Sequence, residues 1–349
     1  MSNTPLYTRV PTSWVGPLYF KAMHDLDHST LDVSLSAPLA TYETTLFHSV
    51  GRGAKLTRLT QSLETTLISD HMTRSVLFEC EHALEAAKLS EYVKANLETF
   101  QNDVVSKHSK YAKLKKIDTH IISNLLFIRF AYDTSNASGH NMSTFASDAI
   151  ASELMRQFPT LKYISVSGNY CTDKKTSSVN AILGRGKHMV ASMRISRELC
   201  ETQLKTTPER IIDLNIKKNM IGSIIAGGVQ SANAHFANML LAFYIASGQD
   251  GANIVEGSQG ITHAYLDHDD LIFTVTLPNV IVGTVGHGKD VNDASEALKT
   301  MGCDQEDGAK KMAHIAAALV LCGELSLMSA LSNQHELTQA HLRLERKGK

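Results

Sequence analysis

The sequence predicts an α/β fold in which a larger domain is interrupted by a small α+β unit. Patterns typical of helices and strands alternate between about residues 75 and 165 of the 349-residue chain. There, residues 83–100 place apolar side chains at helical spacing, and residues 124–133 are a β-rich run typical of a strand. Outside the unit, residues 230–247 and 310–332 predict apolar helices, and we expect the second to be a buried core helix.

The other elements are assigned from the same kinds of pattern. The first forty residues contain Pro5, Pro11, Pro17 and Pro38, so we expect them to be irregular. The remaining assignments are a helix over 44–66, a helix over 143–158, strands over 161–168 and 188–196, and two strands within 270–288 separated at Pro278.

The charge balance argues against nucleic-acid and membrane-surface functions. The formal net charge is -1, and charged residues make up 20% of the chain, as in a soluble globular protein. No global basic field is present to hold a polyanion. The basic stretch at residues 107–116 is short and carries one aromatic residue, Tyr111. We therefore predict neither a nucleic-acid partner nor a membrane partner.

Cysteine usage and the chain start predict a cytoplasmic protein. The five cysteines are scattered, and none forms a C-x-x-C pair, so we predict no metal site and no disulfide framework. The N-terminus lacks the basic start and apolar core of a secretory signal. Residues 315–331 are apolar but contain Gly323 and Glu324, which favours a buried helix over a membrane span.

A charged loop follows the predicted strand at 161–168. Asp173, Lys174 and Lys175 stand together in SVSGNYCTDKK, and loops that leave strand ends often carry catalytic groups. A lysine beside an aspartate stays charged in a partly dry pocket, where it can stabilise an oxyanion. The same three residues also fit a solvated charged turn, and their spacing alone does not choose between the two.

Two further patterns are polar groups in apolar surroundings and glycine turns with a cation. Asn233, His235 and Asn238, followed by Asp250, form either a satisfied structural network or the lining of a site. The turns GTVGHGK and GRGK could cradle phosphates through backbone N–H groups. Neither turn matches a dinucleotide fingerprint or a P-loop, so each alone is weak evidence.

Taken in order, these segments resemble a known enzyme family. SGNYCTDKK, GRGK, LKTTPERIIDLNIKKNMIGS, NAHFANMLLAFYIASGQD, TVGHG and CGELSLMSAL are similar to the catalytic half of HMG-CoA reductases, most clearly the class I form. Upstream, VGPLYF, PLATYET, SDHMTRS and LLFIRF…GHNM occur in the same order, so the resemblance covers about residues 11–341. A nine-residue match such as SGNYCTDKK is far more specific than any glycine pattern.

The resemblance implies an architecture and an assembly. It implies a large substrate domain (1–74 and 166–349) that binds HMG and CoA around a long central helix. It also implies an inserted ferredoxin-like domain (75–165) that binds the dinucleotide. Because the family's active sites form between subunits, it implies a homodimer or a larger homo-oligomer. The implied cofactor is NADPH, with NADH as the alternative.

The resemblance also assigns catalytic roles. Lys174 would neutralise the charge that each hydride places on a carbonyl oxygen, and Glu43 would supply protons. Glu43 would need a raised pKa, which we expect from burial near Asp250. The histidine that protonates the CoA thiolate falls on His341, with His335 as a rival.

The remaining implied positions belong to substrate and cofactor recognition. The HMG positions are Arg74, Ser167, Asp173, Lys175, Lys218, His235 and Asn238. The CoA positions are Arg52 and Lys205. The dinucleotide positions are Ser109, Lys110, Asn136, Gly139, Asn141, Gly286 and Gly288.

Departures from the family pattern cluster on the nicotinamide side. Asn136 replaces an aspartate, His140 enters a run of small and Met residues, His287 interrupts a glycine triplet, and Lys289 replaces a small hydroxyl residue. Three hypotheses follow: an HMG-CoA reductase that forms mevalonate, a reductase of another acyl thioester, or a catalytically silent CoA-binding paralogue. The intact catalytic positions favour activity.

Overall fold

The computed structural model describes residues 8–24, 29–286, 288–289 and 291–345. The strands in that part of the chain are β1 (Thr12–His24), β2 (Ser29–Ala40), β3 (Glu64–Glu79), β4 (Lys113–Ile122), β5 (Leu125–Asp133), β6 (Lys162–Ser165), β7 (Gly186–Ile195), β8 (Ile261–Asp267) and β9 (Asp270–Val280). The longer helices are α1 (Thr45–Thr60), α2 (Ala83–Ala95), α3 (His140–Gln157), α4 (Ser178–Leu183), α5 (Arg197–Gln203), α6 (Pro208–Leu214), α7 (Phe236–Ala246), α8 (Asn292–Thr300), α9 (Gly308–Leu331) and α10 (Glu336–Glu345).

The strands form one mixed sheet that is organised by the long strand β3. The main path is β2-β1-β3-β7-β9-β8, with β3 parallel to β1 and antiparallel to β7. The first half of β3 pairs with β7, whereas its second half pairs with β5 and β6. The α/β class predicted from the sequence is therefore confirmed.

Two apolar clusters fill the two ends of this sheet. The larger cluster packs α1, α7 and α9 against the sheet around β7 and β9. The smaller one lies between residues 76 and 161 and packs α2 and α3 against β3, β4 and β5. Helix α9 is long and apolar enough to cross a membrane, but 89% of its most apolar 18-residue window is buried inside the protein. Burial in the larger cluster accounts for its apolar composition.

The expectation that the first forty residues are irregular was wrong. Residues 12–24 and 29–40 form the antiparallel pair of strands β1 and β2, in which the register shifts between Val15 and Leu18. Pro17 lies at that shift, where it interrupts no regular ladder. Pro38 lies on β2, the edge strand, where a missing N–H is tolerated.

Several predicted boundaries were also wrong, and three further strands, β3, β4 and β8, were missed. Strand β9 continues through Pro278 to Val280, because its pairing with β7 shifts register at that point. Helix α1 ends where Gln61 takes a left-handed backbone with φ 51°, and α7 begins only at Phe236. The charged sequence of β4 and the polar sequence of β8 concealed both strands, because each alternates buried and exposed residues only in part.

A close approach of two helices gives a stability prediction. A methyl group at Gly53 in α1 would lie 2.3 Å from the carbonyl oxygen of Cys322 in α9. We expect Gly53→Ala to lower the free energy of unfolding by about 1–3 kcal/mol, because the helices must separate. Gly51→Ala in the same helix is the control, since nothing lies within 4 Å of that methyl position. Urea denaturation measures both, and equal effects would contradict the packing argument.

Candidate active site

The centre of the site is an ion pair between Lys174 and Asp250. Lys174 Nζ lies 2.7 Å from Asp250 Oδ2, and the two side chains are 40% and 48% exposed. The hydrogen bond that Lys174 donates to Asp250 raises the pKa of Lys174 against the opposing effect of desolvation. Desolvation raises the pKa of Asp250, but the hydrogen bonds from Lys174 and from the Ala252 N–H outweigh it, so that pKa is lowered. Both groups are therefore charged at neutral pH.

The backbone of the loop aims Lys174 at its partner. Thr172 and Lys174 have left-handed φ angles of 42° and 54°, a conformation that costs free energy for side chains of this kind. The Lys174 N–H donates to Glu256 Oε1 at 3.2 Å, which holds the strained residue in place. The sequence placed this lysine in a loop, but it did not reveal the turn that orients it.

A buried network of charges supports the loop from behind. Arg185 contacts Asp173 Oδ1 at 2.9 Å and Glu256 Oε1 at 2.7 Å, and Arg185 and Glu256 are 0% exposed. Arg74 Nη1 lies 3.7 Å from Asp173 Oδ2. Desolvation raises the pKa of Glu256, and Arg185 opposes that shift. The carboxyl of Asp173 is thus occupied by two arginines of its own chain.

His140, the departure in the cofactor loop, contacts the same network. Its Nε2 lies 3.1 Å from Asn253 Oδ1 and 3.7 Å from Asp173 Oδ1. Burial first, and then the positive charge of Arg185, lower the pKa of His140 to about 4. The imidazole is therefore neutral at pH 7.

The two segments predicted to bind the dinucleotide lie side by side. Ala137 pairs with Val285 in a parallel bridge. A methyl group at Gly283 would lie 2.3 Å from the Ser138 nitrogen, so only glycine fits there. Asn136 Oδ1 accepts from the Ala309 N–H at 3.1 Å, at the start of α9. The side chain that replaces the family's aspartate therefore anchors its loop to the core.

The glycines of these segments share a positive-φ backbone, but they differ in exposure, since Gly139 is buried and Gly286 is exposed. Gly139 has φ 90° and precedes α3, whose first turn has no side-chain cap. Asn141 is exposed in that first turn. Gly286 is exposed with φ 101°, and a methyl group there would have nothing within 4 Å. Gly288 has φ 86°. His287, between the two glycines, lies outside the described residues.

The glycine segment also touches the turn that carries Asp250. A methyl group at Gly248 would lie 2.4 Å from the Gly288 oxygen, so the two backbones are in close contact. Lys289 Nζ donates to the Gly248 carbonyl at 2.8 Å. The pKa of Lys289 is lowered, because desolvation outweighs the opposing effect of the Asp250 charge. The predicted cofactor segments and the Lys174–Asp250 pair thus form one connected cluster.

A second cluster surrounds a cavity of about 390 Å³ between α1, α7, α9 and α10. Its polar lining includes Glu43, Arg52, His235 and Asn238. Asn238 Nδ2 donates to Glu43 Oε2 at 3.1 Å. His235 and Asn238 from the polar pattern in the sequence line this cavity, whereas Asn233 Nδ2 donates to the backbone carbonyls of Ser258 and Gly260.

Glu324 holds His235, which lines this cavity, and the sequence patterns did not predict this contact. It is 0% exposed and faces His235 Nδ1 at 3.0 Å. Its carboxylate also accepts from the N–H groups of Ala234 and His235 at 2.6 and 3.1 Å, and from Thr262 Oγ1 at 2.9 Å. A lone glutamate in an apolar helix was the available signal, because such a charge needs buried partners.

Of the two predicted CoA positions, Arg52 lines the same cavity and Lys205 does not. Arg52 donates to Ser326 and forms an ion pair with Glu336 Oε1 at 3.1 Å, so it joins α9 to α10. A phosphate at Arg52 would compete with Glu336. Lys205 is exposed, and its carbonyl accepts from Asn333 Nδ2 at 2.7 Å.

The other predicted residues lie in three places. Ser167 and Lys175 lie beside Asp173 and Arg74, Lys218 is exposed after α6, and Ser109 and Lys110 belong to the small unit at residues 75–165. Ser167 Oγ lies 3.5 Å from Arg74 Nη1, and Lys175 Nζ donates to the Asp173 carbonyl at 3.1 Å. Lys218 is exposed and donates to Asn219 Oδ1 at 3.2 Å. Ser109 Oγ accepts from the Ala112 N–H at 3.0 Å, beside the exposed Lys110.

Among the described residues, neither a hydrogen bond nor an ion pair joins Glu43 to Lys174 or Asp250. Glu43 is exposed in the single chain, so the expected burial near Asp250 is not present there. His341 belongs to α10, but its side chain lies outside the described residues. Its rival His335 is exposed in the turn before α10, with φ 72°.

Comparison with known proteins identifies the family. A model of hydroxymethylglutaryl-coenzyme A reductase matches residues 6–346. The chain is 43% identical to 3-hydroxy-3-methylglutaryl-coenzyme A reductase of Pyrococcus horikoshii over 315 residues, which is 88% of this chain and 76% of the relative. It is 38% identical to reductase 2 of Dictyostelium discoideum over 98% of this chain and 64% of the relative.

Solved structures share the fold at much lower identity. A class II reductase from Streptococcus pneumoniae, bound to NADPH in open conformations, matches with a TM-score of 0.74 and 16% identity. The match covers 100% of this chain and 81% of that one. With the family model matching nearly every residue, this chain belongs to the hydroxymethylglutaryl-coenzyme A reductase family.

Proposed function

We propose that this protein reduces HMG-CoA to mevalonate, with two molecules of NADPH as the hydride donors. The observation that carries the proposal is the Lys174–Asp250 ion pair, 2.7 Å long and beside the two glycine-containing segments. Family membership supports the substrate, since relatives at 38–43% identity are named for it. The NADPH-bound Streptococcus pneumoniae protein supports the cofactor.

The reaction requires four electrons, so two hydrides arrive in succession. The first adds to the thioester carbonyl carbon and gives a hemithioacetal oxyanion. Its C–S bond then breaks, which releases the CoA thiolate and leaves an aldehyde. The second hydride converts the aldehyde to an alkoxide, which takes a proton to become the alcohol. The thiolate takes another proton, so the protein must supply two protons and stabilise two oxyanions.

Lys174 is the group suited to stabilise both oxyanions. Its hydrogen bond with Asp250 keeps it protonated, and its partial exposure leaves donor capacity for a carbonyl oxygen. Glu43 would deliver protons to the reacting oxygen, and Asn238 holds its carboxyl. For the thiolate we favour His341 over His335, because the helix that carries His341 borders the cavity through Glu336.

The small unit at residues 75–165 is proposed to be the dinucleotide-binding domain, with a ferredoxin-like fold. Its own apolar cluster and the pairing of β3, β4, β5 and β6 support this division. The exposed backbone at Gly286, where a methyl group would have nothing within 4 Å, fits the close approach of a dinucleotide. Ser109 and Lys110 would face the phosphate that distinguishes NADPH from NADH.

The remainder of the chain is proposed to be the substrate domain, built around α9. Three cations would receive the HMG carboxylate. Arg74 and Lys175 contact Asp173 in the Lys174 loop, and Lys218 is exposed shortly after α6. Arg52 and Lys205 would bind CoA phosphates at the rim of the cavity. We also propose a cytoplasmic location for the protein.

We infer that the working enzyme is a homodimer or a larger homo-oligomer. Leu241 and Ile245 are 41% and 45% exposed, and they border the turn of Asp250. Adjacent exposed side chains of this size indicate a covered face. A second copy on this face would bring its Glu43 cavity to the Lys174 of the first, which would unite the two clusters.

Removal of the ammonium or the acid tests the mechanism. We expect Lys174→Ala and Glu43→Gln each to lower kcat by about 10²-fold or more, because each removes a group that acts in the transition state. The assay is HMG-CoA-dependent NADPH oxidation, and Lys217→Ala, at an exposed ion pair with Asp213, is the control. Undiminished rates in either variant would refute the mechanism. If the wild type binds CoA but oxidises no NADPH, it is a silent paralogue.

Mixing the two inactive variants tests the shared site. In a hybrid of Lys174→Ala and Glu43→Gln chains, one site would combine both native side chains. Random reassortment is then expected to restore about a quarter of the wild-type rate, because half the dimers are hybrids with one good site. Each variant incubated alone supplies the baseline. No recovery, although hybrids are shown by mass spectrometry, would mean that each site is built from one chain.

A further inference from the structure

His140 is one of the departures from the family pattern, and its side chain lies inside the cluster around Lys174 and Asp250. It begins α3, directly after the cofactor segment that ends at Gly139. Its side chain is 19% exposed, in a position where the family pattern has small and Met residues. An imidazole here brings a hydrogen-bond donor and a titratable group into a site that otherwise has fixed charges.

Three segments of the site meet at this ring. The ring belongs to the cofactor segment, and its Nε2 lies 3.1 Å from Asn253 Oδ1. Asn253 is 1% exposed, and its N–H donates to the Asp250 carbonyl at 3.1 Å. The same Nε2 lies 3.7 Å from Asp173 Oδ1, next to Lys174 in the catalytic loop. The ring is thus in contact with both segments that supply the catalytic ion pair.

We propose that His140 is a positioning residue, which holds the catalytic loop and the Asp250 turn in register by donating its Nε2–H to Asn253 while facing Asp173. The proposal rests on the proposed reductase function. Without the His140 imidazole, Asn253 Oδ1 would lose its donor in a nearly solvent-free position. The turn that carries Asp250 would then lose a link to the cofactor segment.

The charges around the ring require the imidazole to be neutral. The groups that act on it are the cations Arg185, Lys174 and Arg74 and the carboxylates of Asp173 and Asp250. Asp173 already pairs with Arg185 at 2.9 Å, so a protonated ring would compete for a carboxylate that is in use. As a neutral donor, the ring makes its hydrogen bond without adding a fourth cation.

The first arm of the test measures stability and does not depend on catalysis. Because the pKa of His140 is lowered on folding to about 4, its contribution is complete above the unfolded value of about 6.5 and is lost as pH falls toward 4. His140→Gln keeps a donor but does not titrate. The urea midpoint of the wild type should therefore fall more than that of His140→Gln between about pH 7.5 and about pH 5. Parallel profiles would overturn the proposed environment of His140.

The second arm measures turnover in two variants of nearly equal size. His140→Gln retains an N–H donor, whereas His140→Met has none. If the ring positions the Lys174–Asp250 pair, His140→Met should lower kcat about tenfold with KM for HMG-CoA changed less than about twofold, because the loss falls on the transition state. His140→Gln should recover most of the rate.

The outcomes separate this proposal from the proposed function. Equal kcat in the wild type and His140→Met, or equal losses in both variants, would overturn the positioning role. A wild type without NADPH oxidation would instead remove the reductase assignment, and the stability profiles would still report whether His140 is the neutral donor described.

Discussion

The ion pair of Lys174 and Asp250 depends on a loop that would not hold its shape alone. Lys174 has a left-handed backbone, and its N–H is held by Glu256, which in turn is paired with Arg185 in a fully buried position. A buried ion pair is weak evidence for stability, since desolvation offsets the attraction. The pair nevertheless fixes the loop in position, because each buried charge must keep its partner. A catalytic lysine requires a support that is fixed in this way.

The chemistry is divided between two places in the chain. One cluster joins Lys174 and Asp250 to the cofactor segments, and the other joins Glu43, Asn238 and His235 around a cavity. In the proposed mechanism, the first would stabilise negative charge, and the second would deliver protons and hold part of the substrate. This division explains why Glu43 is exposed here, and it makes a second copy of the chain part of the proposed active site.

Patterns in the sequence predicted the α/β class and the apolar helix near the C-terminus, because periodicity reports which faces are buried. They failed for the antiparallel pair of β1 and β2, where the prolines lie at a register shift and on an edge strand that tolerate them. The family's motifs identified Lys174 and Asp250, which the structure brings together.

Sequence alone could not reveal the partners of those residues. Arg185, Glu256, Asn253 and Glu324 act through contacts between residues that are far apart in the chain, and no local spacing encodes such contacts. Asn136 likewise appeared to be a changed cofactor ligand, whereas it anchors its loop to α9. The environment of His140 follows only from three segments that the fold assembles.

In the proposed mechanism, Lys174 and Glu43 act on the same carbonyl oxygen. The most direct measurement is a crystal structure of the protein with HMG-CoA and NADP⁺ bound. In that structure, Lys174 Nζ should lie at hydrogen-bond distance, about 2.6–3.2 Å, from the thioester oxygen. Glu43 of a second copy should reach the same oxygen. A thioester bound away from Lys174, or sites whose two residues face separate pockets, would contradict it.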